Sequence, residues 1–158
     1  MKPVTVGEPA PDFDVVDFRG DAVKLSAYRG RSNVLIVLNR GLICPYCRKH
    51  LTELARRYDE FRRRNTEIIA VGADSAPAFE RFWIAADIPF IGVPDTDRTV
   101  LRRYGQQVRL MRLGRLPAVV LVDREGIVRW VHYGGSMMDV PPTDEILRVL
   151  DEMAGSKA

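Results

Sequence analysis

Apolar residues fall in short runs along this chain, and their period changes from run to run. Phe13 to Phe18 and Val23 to Leu25 predict a hairpin around Arg19-Gly20-Asp21, with the glycine supplying a positive φ. Val34-Leu35-Ile36-Val37-Leu38 is unbroken and predicts a buried strand over 34–39. Leu51, Leu54, Ala55, Tyr58 and Phe61 then recur at helical spacing, which predicts one helix closed by Arg62-Arg63-Arg64. Cations suit a helix C-terminus through the macrodipole, so that triplet needs no polyanionic partner. Thr66 to Ala73 predicts a second buried strand, and Ser75 and Pro77 open a helix with Phe79, Phe82, Trp83 and Ala86 on one face. Phe90 to Val93 adds a short strand. Asp95 or Thr96 caps a helix through Val100, Leu101 and Tyr104 that Gly105 ends. Pro117 to Val122 and Ile127 to Tyr133 predict a late hairpin around Asp123-Arg124-Glu125-Gly126. Asp144 and Glu145 start a last helix with Ile146, Val149, Leu150 and Met153 on one stripe.

The order is a leading hairpin, β-α-β-α, a helix, a hairpin and a terminal helix. Strand–helix alternation implies parallel pairing, and the late hairpin implies antiparallel pairing. The expected fold class is α/β, a mixed central sheet flanked by helices. The 158 residues suit one domain, expected over 1–158. Composition is that of an ordinary globular chain, 46% hydrophobic and 28% charged. A formal net charge of +3, with 21 acidic residues among the basic ones, does not point to nucleic acid. No apolar run approaches the ~20 residues of a membrane span. The first residues carry no hydrophobic signal segment, so the cytoplasm is the expected location.

Thiols are kept reduced there, which makes the only two cysteines, Cys44 and Cys47, a redox pair or half of a metal site rather than a staple. They stand in Cys44-Pro45-Tyr46-Cys47, where the buried strand hands over to a helix. Pro45 suits the first helical position, so Cys44 falls at the N-cap. The free N–H groups of Tyr46 and Cys47 and the positive end of the helix dipole then favour its thiolate. Arg40, Arg48 and Lys49 add positive potential. Cys47 lies one turn deeper and is expected to be the more shielded of the two. Cys44 is the expected nucleophile and Cys47 the resolving thiol, which closes an internal disulfide.

Zinc is the rival, but a closed site needs four ligands and the only histidines are His50 and His132. No metal or organic cofactor is expected. His50, three residues beyond Cys47, could shuttle a proton, but spacing alone favours a half-exposed residue at the edge of the helix stripe. His132 reads as a core or edge histidine on its strand. Arg98, Arg102, Arg103, Arg109, Arg112 and Arg115 form a basic stretch that reads as a solvated face.

Three stretches resemble a known family: Arg40 to Cys47, Leu116 to Gly126, and Gly7-Glu8-Pro9-Ala10-Pro11-Asp12-Phe13. They look like the AhpC/TSA, peroxiredoxin-like (redoxin) branch of the thioredoxin superfamily, over about Gly7 to Met153. The resemblance implies a thioredoxin-like fold with an N-terminal β-hairpin extension. It implies a thiol oxidoreductase whose acceptor is a peroxide or a disulfide and whose donor is a thioredoxin- or glutathione-type thiol; self-association is left open. It also implies a cis peptide before Pro117, which would free the backbone of Leu116 to pair with a substrate near Cys44. Val37 and Gly41 stand where typical peroxiredoxins carry a proline and a threonine, and Pro117 where they carry a peroxide-polarising arginine. Arg115 or Arg40 is the candidate stand-in. The proline and the CxxC also resemble TlpA-like disulfide oxidoreductases, which carry a glutamate at the position of His50.

Overall fold

The computed structural model describes residues 3–106, 108–109 and 114–156. The leading hairpin forms as expected, β1 (Asp14–Val16) against β2 (Ala22–Lys24), with Gly20 in the turn at φ 88°. A single 3-10 turn (Leu25–Tyr28) leads into β3 (Asn33–Leu38), all but its first residue buried. An unbroken apolar strand must be covered on both faces, and β3 is the middle strand of five. It pairs in parallel with β4 (Thr66–Gly72), which pairs in parallel with β5 (Ile91–Pro94). On its other side it meets β8 (Ala118–Val122) antiparallel, and β8 turns back into β9 (Val128–Tyr133).

The predicted first helix divides into α1 (Pro45–Arg56) and α2 (Tyr58–Arg63). The backbone leaves the helical region at Arg57 (φ −111°, ψ 18°), whose guanidinium pairs with Glu60 and with Asp144. These are pairings across space that periodicity does not reveal. Two members of the Arg62–Arg64 run find partners within the fold: Arg62 lies over the Tyr58 ring, and Arg64 pairs with Asp151. α3 (Ala76–Ala85) is capped by Ser75, whose Oγ accepts from Ala78 N at 3.3 Å. α4 (Thr99–Arg103) takes its cap from further back, because Asp95 Oδ2 accepts from Leu101 N at 2.8 Å. A small ribbon, β6 (Val108–Arg109) with β7 (Gly114–Arg115), falls in the basic stretch and was not foreseen. Arg112 and the side chain of Arg109 lie outside the described residues. α5 (Thr143–Ser156) closes the chain.

Two cores follow from the two faces of the sheet. One joins Leu35, Val37, Ile68, Ala70, Val119 and Leu121 to α1, α2, α3 and α5. The other joins Val34, Ile36, Leu38, Ile69, Val71, Val120 and Val122 to α4 and the N-terminal segment. Odd and even residues of β3 divide between them, as the pleat requires. The C-terminal ends of β3 and β4 share one pole of the sheet. Cys44 follows the end of β3, so the fold delivers it to that pole.

Gly92 on β5 is packed against Trp83. A Cβ there would lie 2.8 Å from two indole carbons and 3.0 Å from Phe79 Cδ1. Gly92→Ala is expected to cost about 1–3 kcal/mol through overpacking. Urea unfolding should show a lower midpoint with an unchanged slope.

Candidate active site

The turn ahead of α1 is held from three directions. Asn39 N donates to Val71 O at 2.8 Å, which continues the β3–β4 ladder past the strand end. Leu42 N donates to Asp74 Oδ2 at 3.1 Å, and Cys44 N closes the turn on Gly41 O at 3.1 Å. Arg48 reaches back so that its Nε donates to the Leu42 carbonyl, while its guanidinium lies over the Phe82 ring. Arg48 therefore clamps the turn as well as adding charge. Asp74 and Phe82 are part of the site's frame that sequence reasoning missed. A lone aspartate 30 residues downstream gives no local signal.

Cys44 is the N-cap of α1 (φ −74°, ψ 120°) and Pro45 opens the helix. Its sulfur makes no formed cap bond, but it lies where the helix N-terminus acts on it. Burial pushes the Cys44 thiol up. The amides of Cys47 and Tyr46, the Arg40 side chain and the Cys47 thiol outweigh burial and hold it below the ordinary thiol value. Cys47 behaves in the opposite way. Burial, helped by neighbouring Cys44, pushes it up to about 11 against the opposing amides of Gly41 and Arg40. Both cysteines are free and each is only 2% exposed. The sequence predicts Cys47 to be the more shielded; by exposure the two are equally covered, and Cys44 lies the more shallowly because it sits at the helix end rather than inside it. Ile43, 84% exposed, and Tyr46, 38% exposed, form an apolar lip on either side of it.

Of the two candidate arginines, Arg40 acts on the Cys44 sulfur. Arg115 is half-buried among Arg98, Asp74 and Asp95, with burial holding its pKa down. The peptide before Pro117 is trans, against expectation, as are all others among the described residues. Leu116 is 1% exposed, so its backbone is not laid open for a substrate. The loop after β9 packs against the neighbouring Pro117. Gly134 N donates to Pro117 O at 2.9 Å, and a Cβ on Gly134 would lie 3.0 Å from Pro117 Cγ.

His50 is a second correction. It is not half-exposed but 6% exposed, on the same face of α1 as Cys47, Leu51 and Leu54. Its Nε2 has no hydrogen-bond partner among the described residues, and burial followed by the nearby His132 pushes it down to about 4. It is therefore neutral at physiological pH. His132 is half-buried on the outer strand, stacked on Trp130, with Nε2 2.9 Å from Asp139 Oδ1. Although the two histidines are neighbours, no three His, Cys, Asp or Glu side chains converge as metal ligands among the described residues.

Two outcomes follow from these surroundings. Arg40→Met should move the pH profile of Cys44 alkylation upward and slow alkylation at pH 7 several-fold, with the Cys47→Ser background used to isolate the signal. An unchanged profile would remove Arg40 from the site. For His50, the unfolded chain takes up a proton below its ordinary value of 6.5, whereas the folded state resists until about 4. Unfolding is therefore favoured as pH falls through that window, by about 3 kcal/mol in all. Denaturant titrations between pH 7 and pH 4 should show the loss, and His50→Leu should flatten it.

The AhpC/TSA family model matches residues 6–131. A peroxiredoxin of Thermoplasma volcanium is 33% identical over 146 residues, covering 83% of this chain and 66% of the relative. The chain thus spans just under two thirds of that protein. A putative peroxiredoxin in a rubredoxin operon of Clostridium pasteurianum is 32% identical over 165 residues, covering 92% and 86%. In architecture, the reduced 2-Cys peroxiredoxin of Plasmodium vivax superposes with a TM-score of 0.85 over 98% of this chain and 84% of its own, at 24% identity. With the thiol pair at the end of β3 and the mixed sheet beneath it, this chain belongs to the AhpC/TSA family, the peroxiredoxin-like thiol oxidoreductases of the thioredoxin superfamily.

Proposed function

We propose that the protein reduces peroxides through a Cys44–Cys47 dithiol–disulfide cycle. The observation that carries this reading is the opposed tuning of two sulfurs one helical turn apart, Cys44 held down and Cys47 pushed up. Cys44 is shifted toward its thiolate, while Cys47, pushed up to about 11, remains a thiol at neutral pH. The Cys44 thiolate attacks a peroxide oxygen, the O–O bond breaks, and the leaving alkoxide or hydroxide takes up a proton. Cys44 becomes a sulfenic acid. Cys47 then loses its proton and attacks that sulfur. Water leaves and an internal disulfide forms. Two external thiols, from a thioredoxin-type dithiol or two glutathione-type molecules, restore the pair by exchange and leave as their own disulfide.

Arg40 is the residue placed to hold the thiolate and the developing charge on the leaving oxygen. Leu116, 1% exposed, does not offer the open backbone expected of a substrate-positioning residue. No helix among the described residues is long and apolar enough to cross a membrane. A reducing compartment suits a pair that must be returned to dithiol each cycle. The folding unit is taken as one domain over 1–158.

A second reading, reduction of protein disulfides, is favoured by the apolar lip of Ile43 and Tyr46, which a partner protein could cover. Measuring peroxide consumption and insulin-disulfide reduction on one preparation separates the two. Cys44→Ser is expected to lose peroxide consumption by at least a hundredfold. Cys47→Ser is expected to give one rapid turnover and then stop, with a sulfenic acid trapped by dimedone. Peroxide reduction that survives Cys44→Ser would end the proposal, and fast insulin reduction with no peroxide turnover would favour the second reading.

A further inference from the structure

At the pole of the sheet opposite Cys44 lie two adjoining clefts. The first, of about 460 Å³, is lined by Arg63, Arg64 and Arg124, over a floor that includes Leu150 and Ala154. The second, of about 450 Å³, is lined by Lys24, Arg31 and Tyr28. Asn65 lines both, and its Nδ2 donates to Arg31 O at 2.9 Å, tying the two walls together. Each cleft falls within the ~300–1,000 Å³ of small-molecule sites. Asn33, at the start of β3, also lines the first cleft, so the six residues of that strand separate it from the thiol pole by about 20 Å.

The charge here is unbalanced. Arg64 is paired with Asp151, the acid lining the first cleft. Glu67, which lies within electrostatic reach of Tyr28, accepts from the Tyr58 hydroxyl at 2.6 Å. The side chains of Lys24, Arg31, Arg63 and Arg124 make no ion pair or hydrogen bond among the described residues. Four cations with no formed ion pair among the described residues, Lys24 in the field of Asp12 and Arg63 in that of Glu60, are thus gathered around two adjoining clefts in a chain of net charge +3. Self-repulsion of this kind is relieved by a bound anion. Guanidinium groups match phosphate oxygens two at a time. A single phosphate would reach only one cleft, whereas a chain of phosphates carrying a flat or apolar group would span Asn65 and use both.

We propose that this pole is a binding site for an extended phosphate-bearing anion of nucleotide size, distinct from the thiol site. Its cations grip the phosphates, and its apolar floor and Tyr28 face the organic part. Occupancy is expected to fall steeply with salt, as phosphate–arginine contacts do.

The test is calorimetric titration of the full chain with ATP, tripolyphosphate, inorganic phosphate and adenosine at low and high salt. ATP is expected to bind at or below about 1 mM, tripolyphosphate more weakly, and adenosine and inorganic phosphate not measurably. Arg63→Gln with Arg124→Gln should weaken ATP at least tenfold while leaving peroxide turnover and the unfolding midpoint unchanged. Lys24→Gln with Arg31→Gln, in the second cleft, should do the same and serves if the first pair fails to fold. Absence of ATP binding, or binding that survives both pairs, overturns the proposal. Short duplex DNA that binds more tightly than ATP and is lost in the same variants also overturns it, in favour of a nucleic-acid surface.

Discussion

The structure turns on where the Cys44 sulfur sits: after the last residue of a central strand and before the first turn of a helix. Aligned peptide groups beneath it stabilise negative charge, and Arg40 adds to them. Covering the sulfur works in the opposite sense, and the fold holds these effects in tension. The amides prevail at Cys44 because it lies at the helix end. One turn further in, at Cys47, burial prevails. The same chemical group thus acquires two characters from a displacement of three residues.

Everything around the pair keeps that displacement fixed. Val71, Asp74 and Arg48 anchor the turn of residues 39–44 to β4, to the segment that follows it and to α1. Leu51 and Leu54 seat α1 on the sheet. Removing either leucine side chain would cost about 2–5 kcal/mol by the usual cavity penalty, and would loosen the helix whose first turn does the chemistry. Stability and reactivity are therefore coupled through one element. His50 belongs to this seating face, and its neutral buried ring is a packing unit with an unpaired nitrogen rather than a charged partner for the thiols.

The two poles of the sheet divide the molecule's polar character. The C-terminal ends of the parallel strands carry the thiols under an apolar lip. The N-terminal ends carry an excess of cations, one of which, Arg64, is paired with Asp151. Such separation follows from parallel β3, β4 and β5, which give every crossover loop a definite end of the sheet.

Much was legible from the chain alone. The run Val34–Leu38 could only be a strand covered on both faces, the glycine and proline signals located the turns, and Pro45 placed Cys44 at a helix start. These are local consequences of side-chain shape and backbone freedom. The tertiary structure decided what depends on residues far apart in sequence. The break at Arg57 answers to Asp144, and the depth of His50 depends on its burial against the sheet near His132. The packing of Pro117 depends on the loop after β9. The choice of Arg40 over Arg115 as the thiolate's companion depends on where Asp74 and Asp95 draw the latter. Sequence order fixes which groups are present and their local geometry; burial and long-range charge, which set their pKa values and their access to solvent, exist only once the chain has closed on itself.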